Sequence, residues 1–262
     1  MAKLSRQNIS FSDDELGIGS ADRLVRIISY PRFTEDAYAE RLAEMRSLGV
    51  TSLVLGGRTI INGTHIAGKG CVGVVLKAKI GGKTCALKVR RVDADRKSMN
   101  EEARLHKIAN DASVGPRLEG HTKNLIAMEF IEGQSIVDWV SSATRKQVRG
   151  MARSVLEQCY SLDRAGLDHG ELNRLDRHVI VGNNNNNNNK ACIIDFESAS
   201  TARKTSNITA AAQSIFLHGA VAGQVKKILG EVDRDAALAV LRIYKRDQTD
   251  ANLQAVLDSL QI

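Results

Sequence analysis

The sequence predicts an α+β chain in two parts, the first rich in strands and the second in helices. Three observations carry this. Residues 72–89 hold two β-rich runs around Gly81-Gly82, and the region after Ser206 repeats apolar residues at helical spacing. The 262 residues suffice for two lobes with cores of their own. Apolar content of 43% and charged content of 26% match an ordinary globular protein and exclude a disordered one.

Residues 34–48 read as an amphipathic helix, with Tyr38, Leu42 and Met45 on one face, Thr34 as N-cap and Gly49 as stop. Two β-leaning runs follow, Ser52 to Leu55 and Arg58 to Ile61, separated by Gly56-Gly57. Ile60 to Ala67 is expected to be one strand leading into the glycines beyond it. Residues 1–58 are therefore set apart as a helical extension that docks a substrate or packs against the first lobe. Residues 59–132 form that lobe and 133–262 the second.

The most informative stretch is Gly68-Lys69-Gly70-Cys71-Val72-Gly73, because glycines at this spacing let backbone amides approach phosphate oxygens without Cβ interference. A dinucleotide-binding loop has the same spelling but opens a helix. Here a strand follows, then the Gly81-Gly82 hairpin signal, then Thr84 to Val89 with Lys88 embedded in it. A lysine so placed reaches the phosphates that the glycines admit, so ATP is the expected ligand.

Arg96 to Ala109 reads as a helix with Leu105 and Ile108 inward. A phosphate-binding lysine needs a carboxylate on such a helix to hold it. Glu102 is the choice, with Glu101 its alternative, since one sequence does not fix the register. Leu125 to Gly133 is an apolar strand running into a turn, where the backbone groups of Glu129 and Ile131 suit an adenine edge and Met128 its wall.

Phosphoryl transfer also needs a carboxylate near the attacking hydroxyl and another on the magnesium. Glu171, in Asp168-His169-Gly170-Glu171-Leu172, and Asp195, at the end of Cys192-Ile193-Ile194, are placed to be that pair. Two strand-like runs, Arg177 to Val181 and Lys190 to Ile194, lie between them and would set both at the mouth of one hairpin.

Taken in order, Gly68-x-Gly70-x-x-Gly73, Leu87-Lys88, Glu102, Met128-Glu129-Phe130, His169-Gly170-Glu171-Leu172 and Ile194-Asp195-Phe196-Glu197 resemble the protein-kinase-like superfamily. The likeness is to its small atypical branch of RIO kinases, the KEOPS-complex kinase of tRNA modification and predicted archaeal serine/threonine kinases. It implies a bilobal kinase-like fold with Mg2+ and ATP between the lobes, Lys88 on the phosphates, Glu102 its partner, Glu171 the base and Asp195 the magnesium ligand. For the second metal position Asp176 has the family's spacing and His178 precedes the apolar strand; hard oxygen chemistry favours Asp176. The chain departs from the family in having glutamate at 171 where aspartate is usual, Glu197 where glycine would follow Asp195-Phe196, and no Ala-Pro-Glu segment. The implied activity is ATP-dependent phosphorylation of serine or threonine on a protein, the chain itself included. A regulatory ATPase, a small-molecule kinase and a nucleotide-binding scaffold without catalysis are the alternatives.

A net charge of +7 suits nucleotide, ribosomal or tRNA-modification partners, whereas 4% aromatic residues argue against a base-stacking module, and direct DNA binding is not expected. Cys71, Cys85, Cys159 and Cys192 lack metal spacing and read as reduced thiols of a cytoplasmic protein. No signal sequence or membrane span is recognised; the apolar segment 207–222, interrupted by Gln213 and His218, reads as a buried helix. The asparagine run Asn183 to Asn189 reads as a hairpin tip, and three helices are expected from Ser206 to Ile262. Ser198, Ser200, Thr201, Thr205 and Ser206 are expected to be solvated loop hydroxyls, with autophosphorylation as the alternative.

Overall fold

Alternating apolar residues between 50 and 130 build one antiparallel sheet in the structure, a computed structural model that describes residues 15–17, 26–182 and 190–262. The asparagine run lies outside the described residues. The chain divides into two compact units, Met1–Ala103 with Arg117–Phe130, and Arg104–Pro116 with Ile131–Ile262.

In the first unit the elements run β1 (Glu15–Gly17), α1 (Glu35–Ser47), β2 (Val50–Val54), β3 (Thr59–Ile61), β4 (Thr64–Ile66), β5 (Gly68–Lys69), β6 (Gly73–Ile80) and β7 (Lys83–Arg90). They are followed by α2 (Asn100–Asp111), whose first residues alone belong to this unit, and by β8 (Leu118–His121) and β9 (Leu125–Glu129). The sheet order is β1-β2-β6-β7-β9-β8, with β5 folded onto β6. Period-two alternation sends Val74, Leu76, Leu87, Val89, Leu125 and Ala127 to a core that includes Met45 of α1 and Leu53 of β2. The opposite face is covered by Val72, Met99, Ala103 and Ile126. Burying side chains of this size contributes about 1.5–3 kcal/mol each, which holds the glycine hairpin and α2 to one rigid sheet.

Thr34 accepts the Ala37 N–H as N-cap of α1. Residues 15–17 and 50–54, read in sequence as part of an extension, are strands of the sheet itself: Val54 pairs with Lys77 and Leu53 with Ala78. Ile60 to Ala67 differs from its expected single strand. Asn62 and Gly63 take positive φ (48° and 75°) and turn the segment into the two-stranded β3–β4 hairpin.

The second unit comprises the remainder of α2, then β10 (Gly133–Ser135), α3 (Ile136–Val140), α4 (Arg145–Arg164), a 3-10 turn at Leu172–Arg174, α5 (Leu175–His178), β11 (Val179–Gly182) and β12 (Ala191–Ile193). Four further helices close it: α6 (Asn207–Phe216), α7 (Ala220–Leu229), α8 (Arg234–Arg246) and α9 (Asp250–Ser259). The expected three became four because Gly219, with φ 94°, ends the apolar 207–222 segment early, and the His218 N–H turns back to the Gln213 carbonyl. Thr144 and Gln147 form a capping box at the start of α4. Its stripe Val148, Met151, Ala152, Val155, Leu156, Cys159 and Leu162 is buried at helical spacing. At the end of the same helix the buried Asp163 accepts from the Asn207 N–H and side-chain amide, the Ile208 N–H and the Tyr244 hydroxyl, tying α4 to α6 and α8. Among the described residues no helix is long and apolar enough to cross a membrane.

Candidate functional site

The glycine stretch is a tight hairpin. Gly68 pairs with Val75 and Lys69 with Val74, and the Gly70 N–H donates to the Gly73 carbonyl at 2.7 Å. Gly73 needs its missing side chain, because a Cβ there would lie 3.0 Å from both Lys88 Cγ and the Val89 carbonyl oxygen. Lys88 stands on the sheet face opposite Leu87 and Val89, paired in register with Ile126. Its Nζ donates to Glu102 Oε1 at 2.7 Å, and both side chains are 5% exposed. Glu101 points to solvent. A buried ammonium and carboxylate at this distance are expensive to desolvate and need further polar partners. A lysine pinned beside a side-chain-free turn is suited to an anionic ligand such as phosphate.

The second unit brings together His169, Glu171, His178 and Phe196. The His169 Nε2 lies 3.1 Å from the Ile194 carbonyl oxygen, an arrangement that places the proton on Nε2. Burial, with His178 nearby, lowers its pKa to about 4, while Asp195 and Glu171 act on it in the opposite sense. His169 is thus neutral near pH 7, with both carboxylates close enough to be felt. Its ring centroid is 5.4 Å from that of Phe196 and 5.3 Å from that of His178; Phe196 in turn lies 5.1 Å from His106 of α2. Gly115 makes room for Phe196, whose Cε2 would lie 2.7 Å from a Cβ at that position.

The His178 Nε2 lies 3.6 Å from Glu171 Oε2 and its side chain is buried, as is Asp195's neighbour Phe196. Asp176 is placed differently: its side chain is half-exposed and 3.9 Å from Arg177 Nε. The structure therefore sets His178, rather than Asp176, beside Glu171, because the short α5 turns residue 178 inward at the start of β11. Asp195 has φ 70°, a left-handed conformation that costs a residue with a Cβ about 1–2 kcal/mol and concentrates at functional sites.

Glu129 ends β9, paired with Cys85, and gives its N–H to the Arg117 carbonyl. Ile131 begins the adjoining segment of the second unit. Among the five loop hydroxyls, Thr205 differs from the expected solvated state: it is buried and bonded to Gln248.

Among the described residues no group of three or more His, Cys, Asp or Glu is arranged as a metal cage. Magnesium carried by a nucleotide requires only one or two carboxylates, its other ligands being phosphate oxygens and water, and Asp195 suits that role. Sequence reasoning left His169 and Arg203 without roles. Arg203 donates to Asp168 at 2.9 Å and to the Ser198 carbonyl, bracing the loop at Gly170. No local pattern marks that contact, which depends on chain reversal, whereas the His-Gly-Glu tripeptide did mark His169.

No protein-family model matches the chain. Among curated proteins it is similar to one from Methanocaldococcus jannaschii described as uncharacterized, 28% identical over 102 residues, which cover 39% of this chain and 83% of that protein.

Proposed function

We propose that the chain is an ATP-dependent phosphotransferase of the small atypical protein-kinase-like type, acting on serine or threonine hydroxyls of a protein. The observation that supports this is the buried Lys88–Glu102 pair at 2.7 Å, with Lys88 packed against Gly73 of the glycine hairpin. In this reading the fold is the bilobal kinase one. The amides of the turn between Gly70 and Gly73, with Lys88, take the phosphates, Glu102 keeps the ammonium aimed, and the Glu129 carbonyl and the Ile131 backbone take the adenine edge.

Asp195 would hold Mg2+, which neutralises charge on the phosphates. Glu171 would accept the proton of the acceptor hydroxyl as its oxygen bonds to the γ-phosphorus and the bond to the bridging oxygen breaks, releasing ADP. His178 Nε2 lies 3.6 Å from that carboxylate. The reading places the protein in the cytoplasm, where its net charge of +7 suits a ribosomal or tRNA-modification complex.

A second reading, a nucleotide-binding scaffold, is favoured by Glu171 standing where the resembled family has aspartate. Glutamate moves the carboxyl about an ångström relative to aspartate, a displacement that can cost on the order of a hundredfold in rate.

Incubation with γ-labelled ATP and magnesium separates the readings. Label on protein that Asp195→Ala abolishes supports the kinase. Free labelled phosphate indicates an ATPase, label on small molecules of a cell extract a small-molecule kinase, and binding without turnover the scaffold. Equal protein labelling by wild type and Asp195→Ala would refute the role given to Asp195.

A further inference from the structure

We propose that the cavity between the first turns of α1 and the end of β7 is a binding site for a small phosphate-bearing anion, distinct from the nucleotide site proposed above. The cavity, open to solvent, measures about 670 Å³, and Arg32, Arg41 and Arg90 line it together with Asp36, Glu40 and Asp93. That volume lies in the range of small-ligand pockets.

Arg41 carries the argument. It is 1% exposed, yet its hydrogen bonds go to neutral carbonyl oxygens, from Nη1 to Ala37 and from Nε and Nη2 to Arg90 at 3.3 and 2.9 Å. Arg90 likewise bonds the Asn124 side-chain oxygen and the carbonyls of Arg91 and Arg96. A guanidinium has five N–H donors, so the bonds named leave donors to spare on both. Burial and the neighbouring Arg90 charge lower the Arg41 pKa, opposed by Glu40 and Glu44. A buried Arg41 cation beside a half-buried Arg90 raises the free energy of the empty site, and an anion relieves it.

The nearby carboxylates Glu40, Glu44 and Asp93 act on Arg41 and Arg32 through space, but their hydrogen bonds go elsewhere. Glu40 accepts from Lys123 at 2.8 Å, Asp93 accepts two bonds from Arg91, and Glu44 accepts from Thr122 and Asn124. Asp36 lies at the exposed rim, where water screens it. The positive end of the α1 dipole adds to the field of the guanidiniums. Planar, bidentate guanidinium forks match phosphate oxygens better than any point charge does.

Thermal unfolding is followed while inorganic phosphate, O-phosphoserine or acetate is titrated into wild type, Arg32→Ala, Arg32→Glu and Lys88→Met. Phosphate should raise the midpoint of wild type and Lys88→Met alike, and acetate should not. Arg32→Ala should weaken phosphate about tenfold, as expected for loss of one charge-assisted contact, and Arg32→Glu should abolish the shift. Tighter binding of phosphoserine than of phosphate would assign the site to a phosphorylated side chain, the reverse to a free phosphate. No concentration-dependent shift in wild type overturns the proposal. So does a shift lost in Lys88→Met and kept in Arg32→Glu, which would put the anion at the glycine hairpin. Should Lys88→Met fail to fold, wild type saturated with ADP replaces it: phosphate binding that persists supports the site, and competition overturns it.

Discussion

Lys88 Nζ and Glu102 Oε1 meet at 2.7 Å with 5% of each side chain exposed, joining the β7 strand to the first turn of α2. Removing one partner strands a charge in a low-dielectric setting. Lys88→Met should therefore cost about 3–5 kcal/mol of stability, and Glu102→Gln less, because the amide still accepts a hydrogen bond. Denaturant titrations of the two variants and of the double variant measure this, and the double variant should recover much of the loss.

His169 makes stability depend on pH. Its pKa falls from 6.5 in the unfolded chain to about 4 in the folded one. Between those values the unfolded state binds the proton and the folded state does not. The contribution of His169 is complete above pH 6.5, declines as pH drops toward 4, and amounts to about 3 kcal/mol. His169→Gln should flatten that part of the profile, which unfolding at a series of pH values will show.

Gly170 has φ 89°, and a Cβ built there would lie 2.7 Å from the Ser198 carbonyl oxygen and 2.5 Å from Arg203 Nη2. Gly170→Ala should cost about 1–3 kcal/mol and shift Glu171 with it. An Arg203→Ala background should recover the part due to the guanidinium and leave the part due to φ, as unfolding midpoints of the single and double variants will report.

Asp195 combines φ 70° with the carboxylate that the proposed reaction requires. Asp195→Gly should leave folding stability within about 1 kcal/mol, since glycine accepts the conformation freely, and should abolish phosphoryl transfer to protein. Calorimetry and γ-label transfer on the same preparation check both halves.

Much of this was legible in the residues because it is local. The Gly68–Gly73 spacing, the Gly81-Gly82 turn and the alternation around Lys88 are written in consecutive residues, and each determines a hairpin or the face of a strand. Glu102 against Glu101 was open, since a helix register depends on what covers the helix; Met99 and Ala103 bury the face that carries Glu102. His178 was harder. Spacing favoured Asp176, and only the short α5 turn decides which side chain faces Glu171. Before residue 59, β1 was missed because it is three residues long, and Ser52 to Leu55, read as β-leaning, was left in the extension because its pairing with β6 is not written in its own residues.

That pairing has a practical corollary. A protein trimmed to begin at residue 59 would bare the unpaired amides and carbonyls of β6 from Lys77 to Ile80 beside an uncovered apolar face. Such a raw border recruits other chains, so the shortened form is expected to clump rather than to fold as a smaller version of the whole.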